Sequence, residues 1–209
     1  MDALRHVRLM ADYNRWMNDR LYAAADTLPP AQIEADRGAF FGSILGTLNH
    51  VAVTDSIWLR RFAAAGHWDC LRDATEWLPD PGSLRQPLAG DLHSLGVLRR
   101  RIDDLIVAWA NTLIFNDLDR VLAYRNTAGK AFQRQVGPLL SNLFNHQTHH
   151  RGQATTLLFQ TGIDPGVTDL IAMPGFDPFT DLPPANAEPP GEPAAGERAA
   201  DDPLSTSRP

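Results

Sequence analysis

The chain is 209 residues long, 44% hydrophobic and carries a formal net charge of −6, which suffices for one sizeable core without disulfide staples. Its single cysteine, Cys70, excludes an internal disulfide framework and points to a reducing, cytoplasmic setting. The acidic balance argues against general nucleic-acid binding, which needs a clustered basic surface, and no signal peptide or apolar run of membrane-spanning length is legible, so no membrane association is expected.

In chain order, Leu4, Val7, Met10, Ala11, Met17 and Leu21 recur at three- and four-residue intervals, the pattern of an amphipathic helix from about Ala3 to Thr27 closed by Pro29 and Pro30. Pro30 suits a short helical turn running through Ile33. A second long helix is expected from Ser43, a good N-cap, to about Ala65, with Gly66 as its stop. Residues 67 to 90 hold Pro79, Pro81, Pro87, Gly82 and Gly90 and read as an irregular connection. A third helix follows from an Asp91 cap to about Leu113, with Leu92, Leu95, Leu98, Ile102, Leu105, Ile106 and Trp109 at helical spacing. Val121 to Arg125 and Ala131 to Val136 flank the turn-rich Asn126-Thr127-Ala128-Gly129-Lys130 and predict a small hairpin.

The fourth long helix is expected from Pro138, which fits a first helical turn, to about Gln160 or Thr161, with Gly162 ending it. Beyond it, residues 183–209 hold seven prolines and one large apolar side chain, Leu204, and carry half of the net charge. Such a segment cannot bury enough surface to offset its ordering entropy. The expected organisation is an all-α four-helix bundle over residues 1–182, with a small β-hairpin before the last long helix, and a disordered tail over 183–209.

The chemistry concentrates in Asn145-His146-Gln147-Thr148-His149-His150-Arg151-Gly152-Gln153 on the last helix. Residues three or four apart share a helix face, so His146 can pair with His149 or His150 around a metal ion. On a helix advancing about 100° per residue, His150 falls inside the Leu139, Leu143, Ala154 and Leu157 stripe, whereas His149 falls about 60° to its other side. Phase therefore favours His146 and His150 as the inward pair and puts His149 on the surface or rim. Gln147 points at the core, where its amide needs partners and a supporting role beside the histidines is open to it. The competing reading of His146 and His150 is a pair of partly buried rings hydrogen-bonded to backbone or carboxylate.

His50, in Leu48-Asn49-His50-Val51, is the candidate third ligand. It lies about 120° round its helix from the centre of the Ile44, Val51, Trp58 and Phe62 stripe, on a flank shared with Ser43, Thr47 and Thr54. Phase alone leaves it open between ligand and bystander. His6, His67 and His93 sit near helix ends and read as solvated. Asp55 projects onto the apolar stripe and needs a partner, either a buried arginine such as Arg60, Arg61 or Arg151 or a metal-bound histidine, with ion pairing the favoured role.

Several of these segments, taken together, resemble the DinB-like superfamily of bacterial bundle proteins, which includes thiol-dependent S-transferases. The resemblance is carried by Tyr13-Asn14-Arg15-Trp16 with Asn18 and Leu21, Leu48-Asn49-His50 with Asp55 and Trp58-Leu59, Tyr124-Arg125-Asn126-Thr127-Ala128-Gly129, the His146-to-Gln153 segment, and Gly162 to Ile171 with Asp169-Leu170-Ile171. It covers roughly residues 4 to 175. It implies one divalent ion per chain, held by His50, His146 and His150, with zinc or nickel foremost and iron also accommodated. Homodimers, and in some members S-transfer between a low-molecular-weight thiol and a small electrophile, are implied as well.

Three neutral imidazoles leave a divalent ion its full charge and an open position, as catalytic rather than closed structural zinc requires. A thiol bound there would lose its proton near neutral pH and attack an electrophilic carbon. No protein nucleophile is needed, and Cys70 has no evident activating partner. The alternative is a metal-binding or stress-associated protein without turnover, its ion joining two helices.

Overall fold

In a computed structural model, which describes residues 1–176, three of the four long helices start where a side chain takes up an otherwise unpaired backbone donor. Asp2 accepts from the Arg5 N–H ahead of α1 (Ala3–Ala25), Ser43 from Gly46 ahead of α3 (Ile44–Ala64), and Asp91 from Ser94 ahead of α5 (Leu92–Thr112). Caps of this kind contribute about 1 kcal/mol each. The short α2 (Pro30–Glu34) opens on its proline, as expected. Gly66 and Gly162, at φ +72° and +83°, follow the ends of α3 and α7 (Val136–Phe159) in the left-handed region that glycine enters without penalty.

The four long helices form a ring in the order α1, α5, α3, α7, each packing chiefly against its two neighbours in that order. The chain is thus mostly helical, with one two-stranded antiparallel sheet among the described residues, before the last long helix. In that sheet β1 (Val121–Arg125) pairs with β2 (Ala131–Gln135) in the register Val121 to Gln135 and Arg125 to Ala131. The Asn126 carboxamide holds its turn by accepting from the Ala128 and Lys130 N–H groups. The hairpin docks on α3 through Tyr124, whose ring lies 5.2 Å from that of Trp58, with the Arg61 guanidinium over both.

Two short helices add to the expected elements. α4 (Asp69–Ala74) lies within the Pro- and Gly-rich connection, and α6 (Phe115–Asp119) follows α5 directly. Neither is long enough to show a period. α4 forms because Trp68 packs on Phe62 and Trp109 while Leu71, Ala74 and Leu78 are buried behind it. The last helix begins two residues before Pro138: β2 runs straight into it, the Val136 N–H donating to the Arg120 carbonyl. After Gly162 the chain returns along α1, where the Tyr13 hydroxyl donates to the Thr168 carbonyl at 2.6 Å and Arg20 to that of Pro165 at 2.9 Å.

At mid-bundle a buried polar layer joins three helices. Arg99 donates to Asp55 at 2.6 Å and to Asp103 at 3.1 Å, and Asn18 donates to Asp103 at 2.9 Å. Asp55 is thus ion-paired, as expected, but with none of the three arginines foreseen. Arg60 instead holds the carbonyls of Thr75, Leu78 and Pro79, Arg61 lies on aromatic faces, and Arg151 donates to Gln147. Sequence phase shows that Asp55 points inward but not which neighbouring helix it meets. The boundary expected at residue 182 and the tail 183–209 lie outside the described residues. Among the described residues, no helix is long and apolar enough to cross a membrane.

Candidate metal centre

α7 carries two i,i+4 polar pairs one residue out of step. His146 and His150 face the seam with α3, and Gln147 and Arg151 face the core. The structure brings His50, His146 and His150 together, with one ring nitrogen of each lying within 4.8 Å of the others. His50 reaches the seam from the flank of α3 that periodicity had left ambiguous, and it is buried there. His149 is exposed, as are His6, His67 and His93. Gln147 does not support the histidines: it is fully buried and its carbonyl accepts from Arg151.

The Nε2 atoms of His50 and His146 are 3.3 Å apart. Two nitrogens bound tetrahedrally at about 2.0–2.1 Å to zinc would be separated by about 3.3–3.4 Å. Two of the three outer ring nitrogens are anchored. His50 Nδ1 lies 3.0 Å from the Leu84 carbonyl oxygen, which can only accept, so this nitrogen carries the proton and Nε2 presents its lone pair inward. His150 Nδ1 lies 2.8 Å from the Gln153 carboxamide oxygen and is oriented in the same way. The Gln153 amide end in turn lies 3.4 Å from His149 Nε2. His146 Nδ1 is buried without a hydrogen-bond partner.

Burial lowers the pKa of all three rings, that of His146 to about 3, and for His146 the neighbouring His150 and His50 push in the same direction. Neutral rings with lone pairs are therefore the stable form at neutral pH, the protonation state that metal ligation needs. The 3.3 Å separation serves a hydrogen bond when His146 is protonated at Nε2, and two ligands of one ion when it is protonated at Nδ1. The donor set fits a divalent ion of intermediate softness.

Phe41 bears on two of the rings. It stacks on His50 at 3.8 Å with 17° between planes and meets His150 edge-on at 5.5 Å. It can approach because residue 46 is glycine: any side chain there would collide with the Phe41 carbonyl. Phe41 and His50 also line a cavity of about 330 Å³ together with Asn49 and Arg85. Cys70 is half-buried in α4, and burial raises its thiol pKa, the opposite of nucleophile activation. Sequence reasoning missed Phe41 and Leu84, which act through loop placement and a backbone carbonyl. The role of Gln153 was within reach, because an amide three residues after a ligand on the same helix can meet its ring.

The DinB family model matches residues 3–177. Protein DinB of Bacillus subtilis (strain 168) is 27% identical over 158 residues, covering 76% of this chain and 87% of that protein. No solved structure matches the chain. The chain belongs to the DinB family.

Proposed function

We propose that this protein binds one divalent ion, zinc or nickel, through Nε2 of His50, His146 and His150, and uses it in S-transfer from a low-molecular-weight thiol to a small electrophile. The observation that carries the reading is the convergence of one ring nitrogen from each of three histidines within 4.8 Å, with His50 and His150 tethered at Nδ1 so that each turns Nε2 inward. A bound ion with an open position would supply the Lewis acidity that makes a thiol a thiolate near neutral pH, so that a C–S bond forms as the electrophile's leaving group departs. His50 and His150 are held in ligating orientation by Leu84 and Gln153. Phe41 removes water from one side of the cluster, which strengthens electrostatic interactions within it. Among the described residues, no His, Cys, Asp or Glu side chain completes a fourth protein ligand.

Phe41 also favours a second reading, in which its ring helps close the site and the ion serves to join α3 to α7 without turnover. The test is to load the protein with cobalt, titrate thiols while following thiolate-to-cobalt absorption, and then assay conjugation to alkyl halides and epoxides. Metal-dependent conjugation supports the transferase. A cobalt spectrum indifferent to every thiol supports the joining role and overturns the transferase.

A further inference from the structure

The cavity beside His50 carries a charge that the metal site alone does not explain. Its wall includes Arg85, whose guanidinium lies 4.7 Å from the centre of the Phe40 ring and 5.4 Å from that of Phe41. Among the described residues, no carboxylate stands within 4.0 Å of it. A guanidinium resting on aromatic faces keeps its in-plane N–H donors available, and that fork matches the two oxygens of a carboxylate. Glu34, the one acidic residue lining the cavity, is exposed, so water and salt screen its repulsion of an incoming anion.

The loop that bears Arg85 is fixed at several points. Arg60 donates to the carbonyls of Leu78 and Pro79 at 2.7 and 2.9 Å. The Asn49 carboxamide accepts from the N–H groups of Leu88 and Ala89 and donates to the Ala89 carbonyl. Leu84, immediately before Arg85, accepts from His50. Consecutive residues of α3, Asn49 and His50, therefore set the loop and the metal cluster together. Phe41 belongs to both sites, touching the rings of His50 and His150 while lining the cavity. A volume of about 330 Å³ suits a small molecule rather than a macromolecule.

We infer that Arg85 is the specificity determinant for the thiol: it receives a carboxylate of an acidic, low-molecular-weight thiol whose sulfur is directed to the histidine cluster. This rests on the thiol reading above. No bond forms or breaks in recognition. The carboxylate exchanges water for the guanidinium fork, and the aliphatic stem lies against Phe41.

The test uses the full chain loaded with cobalt and two probes of one skeleton, mercaptopropionate and its methyl ester, with affinity read from the thiolate-to-cobalt band. A divalent ion itself favours an anionic thiol, so the deciding quantity is how the acid-to-ester affinity ratio changes between proteins. In Arg85→Gln the ratio should fall about fivefold, the upper end for an exposed charge pair. Arg85→Lys should retain most of it, and cobalt stoichiometry should be the same in all three proteins. An unchanged ratio in Arg85→Gln, with thiols still moving the band, overturns the inference and leaves the thiol reading standing. A band moved by neither probe in the wild-type protein overturns both. Cobalt stoichiometry reduced in Arg85→Gln but not in Arg85→Lys assigns Arg85 to holding the cluster and also overturns the inference.

Discussion

The two polar clusters inside this bundle are built on opposite plans. In the layer made by Asn18, Asp55, Arg99 and Asp103, a cation lies between two carboxylates and an amide caps one of them, so the protein supplies its own countercharges. Burial pushes the Asp103 carboxyl up to about 7 against the pull of Arg99, while the flanking carboxylates hold Arg99 cationic despite burial. In the histidine cluster three neutral rings converge, one nitrogen of each within 4.8 Å of the others, with no charged side chain among them. The first arrangement fastens helices together, whereas the second offers nitrogen ligands that could hold a metal ion. Both clusters draw on α3, through His50 and Asp55, which is why substitutions must be read by two signals, stability and metal content.

The sharpest separation should come from the ligands. His50→Ala and His150→Ala should each weaken metal binding by roughly 100-fold or more, exceeding the loss typical for residues that only support a ligand. His149→Ala should change it little, because that ring is exposed and lies outside the cluster. Elemental analysis after dialysis against a graded chelator checks all three. Equal losses for His149→Ala and His150→Ala would reverse the facial assignment on α7.

Arg99→Met should invert the pattern. Removing the cation strands two buried carboxylates, at a cost of about 3–5 kcal/mol in denaturant unfolding, yet the protein that remains folded should keep its ion. Loss of metal from folded Arg99→Met protein would show that the two clusters are one coupled unit. A smaller effect is expected from Gln153→Ala, which leaves His150 Nδ1 without its anchor. Metal affinity should fall about tenfold with little change in stability.

Acid should distinguish the clusters too. Burial holds the histidine pKa values below the unfolded value of 6.5, with His146 near 3. Their contribution to metal-free stability is therefore complete above pH 6.5 and is lost as pH falls from there towards 3. Asp103 works the other way, because its raised pKa favours the fold as pH falls from about 7, so the test is a difference: the wild-type unfolding midpoint should fall relative to that of His146→Asn between pH 6.5 and 3. Protons compete for the same nitrogens, so the ion should leave over the acid side of this range.

How much of this was legible in the sequence varied with the kind of contact. The long helices follow from apolar spacing and from caps such as Ser43 and Asp91, because both are local. His146 and His150 follow from helical phase on one element. His50 did not, since its bearing depends on where α7 lies relative to α3, and the resemblance to a known family was what singled it out. Arg99 as the partner of Asp55, the Leu84 carbonyl behind His50 and Phe41 over both rings depend on which helix or loop arrives, which no single-element period records. α4 and α6 were missed because helices of six and five residues are made by packing rather than by periodicity.

X-ray absorption at the zinc edge of the loaded protein tests the central claim most directly. The expected result is three imidazole nitrogens at about 2.0–2.1 Å with a light, exchangeable fourth ligand, and replacement of that ligand by sulfur at about 2.3 Å when a thiol is added. Fewer than three imidazoles, or a shell closed by a fourth protein ligand that no thiol displaces, would contradict the open tri-histidine centre.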